Sequence, residues 1–472
     1  MVFSSLHFLF VFLPIFLIIY YLIQERYRNG LLLIASLIFY GAGEPTYLIL
    51  IALSIIVNYI LARCIERIRH VPVRKKICLL IALSYNFSML LFFKYTDFFI
   101  ENINAFLHYQ GSEQTLSLLH LVLPLGISFY TFQIVSYIID VYQGCIRAEH
   151  SLIDLGAYIC MFPQLIAGPI VVYTDVHRDL KKRTVTITNL DSGFKTFIIG
   201  LGFKVVLANR IGILWNDVCT IGFESLSTPL AWLGAFAYSM QLYFDFCGYS
   251  LMAMGLGKML GFRFPANFNY PYIARSVTDF WHRWHMTLGG WFREYVYIPL
   301  GGNRKGKLRM FFNLFIVWFL VGFWHGASWN FILWGILIFL FQLIEKTFLL
   351  KLLHAKHWFA CLFSHAYMIL YILVSWTIFA ISDFSQLRIY LARMFPFFGI
   401  GETIYALDYL KYLTTYAPLI VLCILFSTPL PEKLFQKLKD STVGVGIALG
   451  VFWYAVYFLA IGMNNPFLYF RF

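Results

Sequence analysis

An all-α, polytopic membrane bundle is the fold class this sequence predicts, with about eleven spans plus re-entrant and interfacial helices. Three observations lead there. The 472-residue chain is 60% hydrophobic and only 12% charged, whereas a soluble domain is nearer half apolar and about a quarter charged. Several apolar runs reach the roughly 20 residues that a helix needs to cross a bilayer. The basic residues crowd short connections. Arg63, Arg67, Arg69, Arg74, Lys75 and Lys76 share one, and Arg304, Lys305, Lys307 and Arg309 share another. That is the pattern of cytoplasmic loops. It also directs the net charge of +13 away from nucleic acid, whose binders gather their base on one soluble face. A β-barrel needs alternating segments of about ten residues, and the chain does not show them.

The elements follow in order. The run 6–23 lacks the positive n-region and cleavage site of a signal peptide. It reads as a retained span with the N-terminus outside, because Arg26 and Arg28 follow it. Spans at 30–41, 45–64 and 77–94 come next. Alternation puts 24–29 and 63–76 inside. It puts Glu101 to Leu116, which has no Lys or Arg, outside. A span at 117–141 leads to MFPQLIAGPI (161–170), where two prolines and a glycine oppose a continuous helix. This segment reads as broken or re-entrant, allowed only where protein covers its backbone. The span 229–260 carries Asp245 in an apolar run. That carboxylate lines a polar cavity or pairs with an arginine such as Arg275 or Arg283. The aromatic stretch 262–275 suits the membrane interface. Spans at 309–325, 329–345, 360–382, 414–428 and 443–462 complete a single domain, 1–472. The eight cysteines form no CxxC pair and read as buried thiols, with no zinc site or disulfide framework.

Two blocks carry the chemistry. In DFWHRWHMTLGGWFREYVYIPLGGNR (279–304), Ser276 is a candidate N-cap with Asp279 three residues on, and Asp279 and Arg283 have salt-bridge spacing. A helix over 276–293 places Trp281, His285, Leu288 and Phe292 on one apolar stripe and His282 on its flank. Taken alone, His285 would more often be a satisfied core histidine than a catalyst. His325 ends the second block, an apolar run after Arg309, with Gly326-Ala327-Ser328 behind it and Gly322 one turn before it. An ionisable group at that depth costs several kcal/mol, about 3 on insertion scales, and marks a functional candidate. His282, His285 and His325 could form a three-histidine metal site, but no HExxH and no clear carboxylate partner accompany them. No metal is expected. Near the C-terminus, Asn464 to Phe472 reads either as an aromatic interfacial anchor or as the carrier of a nucleophilic hydroxyl on Tyr469.

These blocks, with MFPQLIAGPIV and the terminal FLYFRF, resemble the membrane-bound O-acyltransferase family, in its bacterial polysaccharide branch, over nearly the whole chain. The resemblance implies a bundle of tilted helices around a central tunnel. It places the invariant family histidine at His325 and the second at His285. The donor implied is acetyl-CoA or another acyl thioester on the cytoplasmic side, with no bound cofactor. An extracytoplasmic acetyltransferase partner would complete transfer to an exopolysaccharide such as alginate, or to peptidoglycan. A separate small subunit of the related teichoic acid D-alanyl transferase ends in a similar tail. Fusion of that tail here favours acetyl chemistry and Tyr469 as a relay. Such a reaction needs a hydroxyl nucleophile, a base and a donor to the oxyanion. A neutral His325 would serve as base, and His285 would orient the acyl group, donate to the oxyanion or assist. The alternatives are D-alanylation of teichoic acid, a protein or lipid acyltransferase of the same family and, from another class, a proton-coupled transporter. The last usually shows matched broken segments in two halves.

Overall fold

The computed structural model describes residues 1–166, 168–398, 405–462 and 468. Helix accounts for 78% of the structure, with no strand among the described residues. The chain packs as two compact units: Met1–Phe194 with Ala253–Pro265, and Lys195–Met252 with Ala266–Phe472.

The first unit holds α1 (Leu13–Leu22), α2 (Arg28–Gly41), α3 (Leu48–Arg67), α4 (Pro72–Tyr109), α5 (Ile127–Gln143), α6 (Leu152–Cys160), α7 (Phe162–Leu165) and α8 (Tyr173–Lys181). Pro72 sits at the start of α4, where its missing N–H costs nothing. The helix then runs for 38 residues, so half of the loop expected after Glu101 is helical. The proline-broken segment is buried as expected. Phe162 packs against Phe3, Phe8, Phe12, Phe16 and Phe39 with ring centroids 5.2–6.4 Å apart. One of its backbone groups finds a side-chain partner, Phe162 N–H donating to Ser36 Oγ at 3.1 Å, and the Gln164 side chain turns back to α6, its Nε2 donating to Tyr158 O at 2.6 Å. Gly126 lets this segment close up, since a methyl there would lie 2.4 Å from Leu165 O.

From α9 (Ile187–Gly202) the chain enters the second unit. A π-helical turn, Phe203–Ala208, joins α9 to α10 (Asn209–Ile221). Then come α11 (Thr228–Met259), α12 (Val277–Arg283), α13 (Met286–Phe292), α14 (Lys307–His325), α15 (Trp329–Ile344), α16 (Leu350–Leu353), α17 (Trp358–Ala380), α18 (Phe384–Met394), α19 (Asp408–Phe426), α20 (Leu430–Leu438) and α21 (Thr442–Ala460). Among the described residues, seven helices are long and apolar enough to cross a membrane. Four of the other expected spans are shorter: Phe8–Leu22, a five-residue π-helical stretch followed by the 10 residues of α1, then 14 residues in α2, 17 in α5 and 16 in α15.

One of the seven, Ile187–Ile221, was not among the expected spans. Lys195, Lys204 and Arg210 interrupt its apolar run and hide it from a reading of hydropathy. The structure shows how the middle charge is tolerated. Lys204 Nζ lies 2.6 Å from Asp245 Oδ1 and 2.8 Å from Asn209 Oδ1, with both ionic side chains at most 3% exposed. Asp245 therefore pairs with Lys204, not with Arg275 or Arg283. Arg275 is engaged by Ser364 Oγ and Ala355 O, and Arg283 by Asp279. Two glycines make the short aspartate reach. A methyl on Gly200 would lie 2.5 Å from Gly248 O, so α9 and α11 touch backbone to backbone about one turn from the pair.

A second close contact builds the α14–α15 hairpin. A methyl on Gly322 would meet Phe331 O at 2.4 Å, and one on Gly335 would meet Trp318 O at 2.3 Å. Small residues permit such approach between membrane helices. The space beside Gly322 is thus taken by the backbone of α15.

Candidate active site

His325 is the last residue of α14, and the extended Gly326 stops the helix behind it. The residue is 7% exposed, and its ring is walled by aromatics. Trp334 and Phe379 meet it edge-on at 5.1 and 5.4 Å, and Trp324 lies at 5.0 Å. The wall is itself fixed. Trp334 Nε1 donates to Ser375 Oγ at 3.0 Å, and Asn330 Nδ2 donates to Ile378 O and Phe379 O at 3.1 Å. Trp329, in contrast, is exposed.

The helix expected over 276–293 is broken at His285. Ser276 caps α12 by accepting from Asp279 N–H at 3.0 Å, and Arg283 Nε reaches Asp279 at 2.8 Å; both expected contacts form. At Trp284 the backbone becomes extended, and His285 adopts φ 43°, ψ 53° in the left-handed region. A helical stripe through 281, 285, 288 and 292 therefore does not carry across the break. His285 is buried all the same, 2% exposed, while His282 faces out. Phe246 meets the His285 ring edge-on at 4.7 Å, and Trp324 lies 6.3 Å away. The two histidines thus flank one indole, Trp324. Burial pushes the His285 pKa down to about 3, which keeps the ring neutral at physiological pH.

Two residues missed in the sequence hold this arrangement. Glu345 is fully buried and caps α12 from the end of α15, accepting from the N–H groups of Val277 and Thr278 and from Thr278 Oγ1. A carboxylate at a helix start satisfies orphan donors and suits the dipole. Asn267, 1% exposed, lies in the irregular stretch before α12. Its Oδ1 is 3.0 Å from His285 Nδ1, and its backbone carbonyl accepts from Met286 N–H at 2.9 Å. Tyr469 lies outside the described residues. Its neighbour Leu468 is buried and donates its backbone N–H to Asp245 Oδ2 at 2.9 Å. Among the described residues, no three His, Cys, Asp or Glu side chains gather as a metal site would require.

A helical membrane protein with two buried histidines about one indole, each at a helix break, is the class this geometry defines. The model of the membrane-bound O-acyltransferase family matches residues 144–382, which include His285, His325 and the Lys204–Asp245 pair. The chain is 46% identical over 338 residues to the probable alginate O-acetylase AlgI of Pseudomonas aeruginosa, covering 71% of this chain and 64% of that protein. It thus spans a little under two thirds of that relative's length. It is 39% identical over 372 residues to the peptidoglycan O-acetyltransferase of Helicobacter pylori, covering 71% and 69%. The teichoic acid D-alanyltransferase of Bacillus subtilis is 31% identical over 228 residues, covering 46% and 57%. The chain belongs to the membrane-bound O-acyltransferase family and is a multi-pass membrane protein.

Proposed function

We propose that this protein moves an acetyl group from a cytoplasmic thioester donor, such as acetyl-CoA, across a bacterial cell membrane for O-acetylation of an extracellular polysaccharide. The observation that carries the reading is the pair His285 and His325, both buried and both against Trp324. In this account His325 takes the proton of the attacking hydroxyl. The C–O bond forms, the C–S bond breaks and the thiol leaves with a proton. The aromatic wall excludes water, which would otherwise hydrolyse the thioester. The O-acetylating relatives support acetyl chemistry, because they match over more of the chain and at higher identity than the D-alanylating one.

Tyr469 is the relay in this reading. Its support is Leu468, one residue before it, held inside the second unit on Asp245. The next residue of α11, Phe246, packs on His285. An extracytoplasmic acetyltransferase would take the acyl group onward to the polymer.

Vesicles carrying the purified protein test the reaction. Labelled acetyl-CoA is supplied on the face that bears the basic loops, and a hydroxyl acceptor is sealed on the other. The wild type should deliver label to the acceptor, and chelator should leave the rate unchanged. Delivery of D-alanyl in place of acetyl would favour teichoic acid chemistry. Proton flux without acyl transfer would favour a transporter.

A further inference from the structure

A neutral histidine offers one donor and one acceptor, and the hydrogen bond at one nitrogen decides the other. At His285, Asn267 makes that decision. Asn267 Oδ1 lies 2.9 Å from Thr287 Oγ1 and 3.4 Å from Thr287 N, as well as 3.0 Å from His285 Nδ1. A backbone N–H can only donate, so the amide atom facing it is the oxygen. On the opposite face Nδ2 donates to Ser250 Oγ at 3.1 Å, a hydroxyl able to accept from it. An amide oxygen can only accept. His285 Nδ1 therefore carries the proton.

We propose that Asn267 is a positioning residue that holds His285 as the Nδ1–H tautomer, so that Nε2 presents a lone pair to the reacting groups. This deepens the acyl-transfer reading and rests on it for the role, though not for the tautomer. Of the three roles open to His285, donation to the oxyanion by the neutral ring is removed. Accepting a hydrogen bond from an N–H or O–H of the bound thioester donor, and so orienting its acyl group, is what Nε2 can do, while the single proton of the attacking hydroxyl goes to His325. Oxyanion donation falls to another group.

The backbone belongs to the same device. His285 is held in the left-handed region, which non-glycine residues disfavour, and such strain persists where surrounding contacts over-determine it. Asn267 supplies those contacts twice. Its carbonyl holds Met286 N–H and its side chain holds His285 and Thr287. α11 completes the clamp, with Ser250 on the amide and Phe246 on the ring.

Nitrogen NMR on ¹⁵N-histidine protein in lipid reads the tautomer directly, with His285 assigned by difference from His285→Gln. The expected wild-type signal is a protonated Nδ1 and a bare Nε2. Asn267→Leu should mix the tautomers, and Asn267→Asp, which keeps an oxygen facing Nδ1, should preserve the wild-type form. In acyl transfer, Asn267→Leu should lower kcat about 10- to 100-fold, the usual cost of removing an orienting partner, with KM for the donor little changed. Asn267→Asp should recover most of that loss. Adding Asn267→Leu to His285→Ala should cost nothing further. A bare Nδ1 in the wild type would overturn the proposal. So would an equal loss from Asn267→Leu with and without His285, which is the mark of a merely structural role. If the tautomer is as expected while acetyl transfer fails, the error lies in the function and not in the clamp.

Discussion

His282 and His285 stand three residues apart, and the break at Trp284 sends them to opposite surroundings: one exposed, the other 2% exposed. His285→Ala should therefore abolish most acetylation, while His282→Ala should leave it within a few-fold of wild type at equal membrane levels. Polymer acetylation in cells measures both. Greater sensitivity at His282 would contradict the site described. Lys204 makes a second residue-scale prediction. Removing one partner of a buried ion pair costs about 3–5 kcal/mol, because the other charge is left alone. Lys204→Met should thus lower the thermal midpoint strongly, and Lys204→Met with Asp245→Leu should recover much of the loss. At this scale the sequence was half legible. Histidines in apolar, tryptophan-rich runs are rare enough to mark themselves. Asn267 and Lys204 were not legible, because their roles depend on partners 18 and 41 residues away, and nothing local announces such pairings. Tyr469→Phe, which keeps the ring and removes the hydroxyl, should abolish acetylation if the tail relays the acyl group. Near-normal acetylation would reduce the tail to an anchor.

Among the elements, the α14–α15 hairpin places His325, and two glycines set its spacing. A methyl at Gly335 would sit 2.3 Å from a backbone carbonyl, which cannot swing aside as a side chain would. Gly335→Ala should force the helices apart and lower both the thermal midpoint and the acetylation rate. Gly290→Ala, where a methyl meets nothing within 4 Å, is the control and should be tolerated. Helix starts and stops were readable: Ser276 caps α12 as its spacing with Asp279 suggests, and Gly326 ends α14. The kink at His285 was not. An apolar stripe at helical spacing fits a straight helix equally well, and the competing pull comes from Asn267 and Glu345, outside the segment. The span from Ile187 was hidden for a similar reason. Its lysines read as loop until Asp245 is seen beside one of them and Asp440 beside another, Lys195 Nζ at 3.1 Å.

For the molecule as a whole, hydropathy and charge placement made the class legible, because the bilayer constrains both strongly. The connections at 63–76 and 301–309 should be cytoplasmic. Cysteines placed at Val71 and Asn303, in a variant without the native cysteines, should resist an impermeant maleimide in intact cells and react once the membrane is opened. Labelling from outside at either position would reverse the topology and the direction of transfer proposed. The central claim, that His325 is the base of an acyl transfer, is tested most directly by the rate at which purified wild type and His325→Ala transfer labelled acetyl from acetyl-CoA to a hydroxyl acceptor. Loss of a positioned base typically costs about 10² to 10⁴ in rate. The account predicts a fall of that size with an unchanged thermal midpoint and normal insertion. Transfer at the wild-type rate by His325→Ala would contradict it.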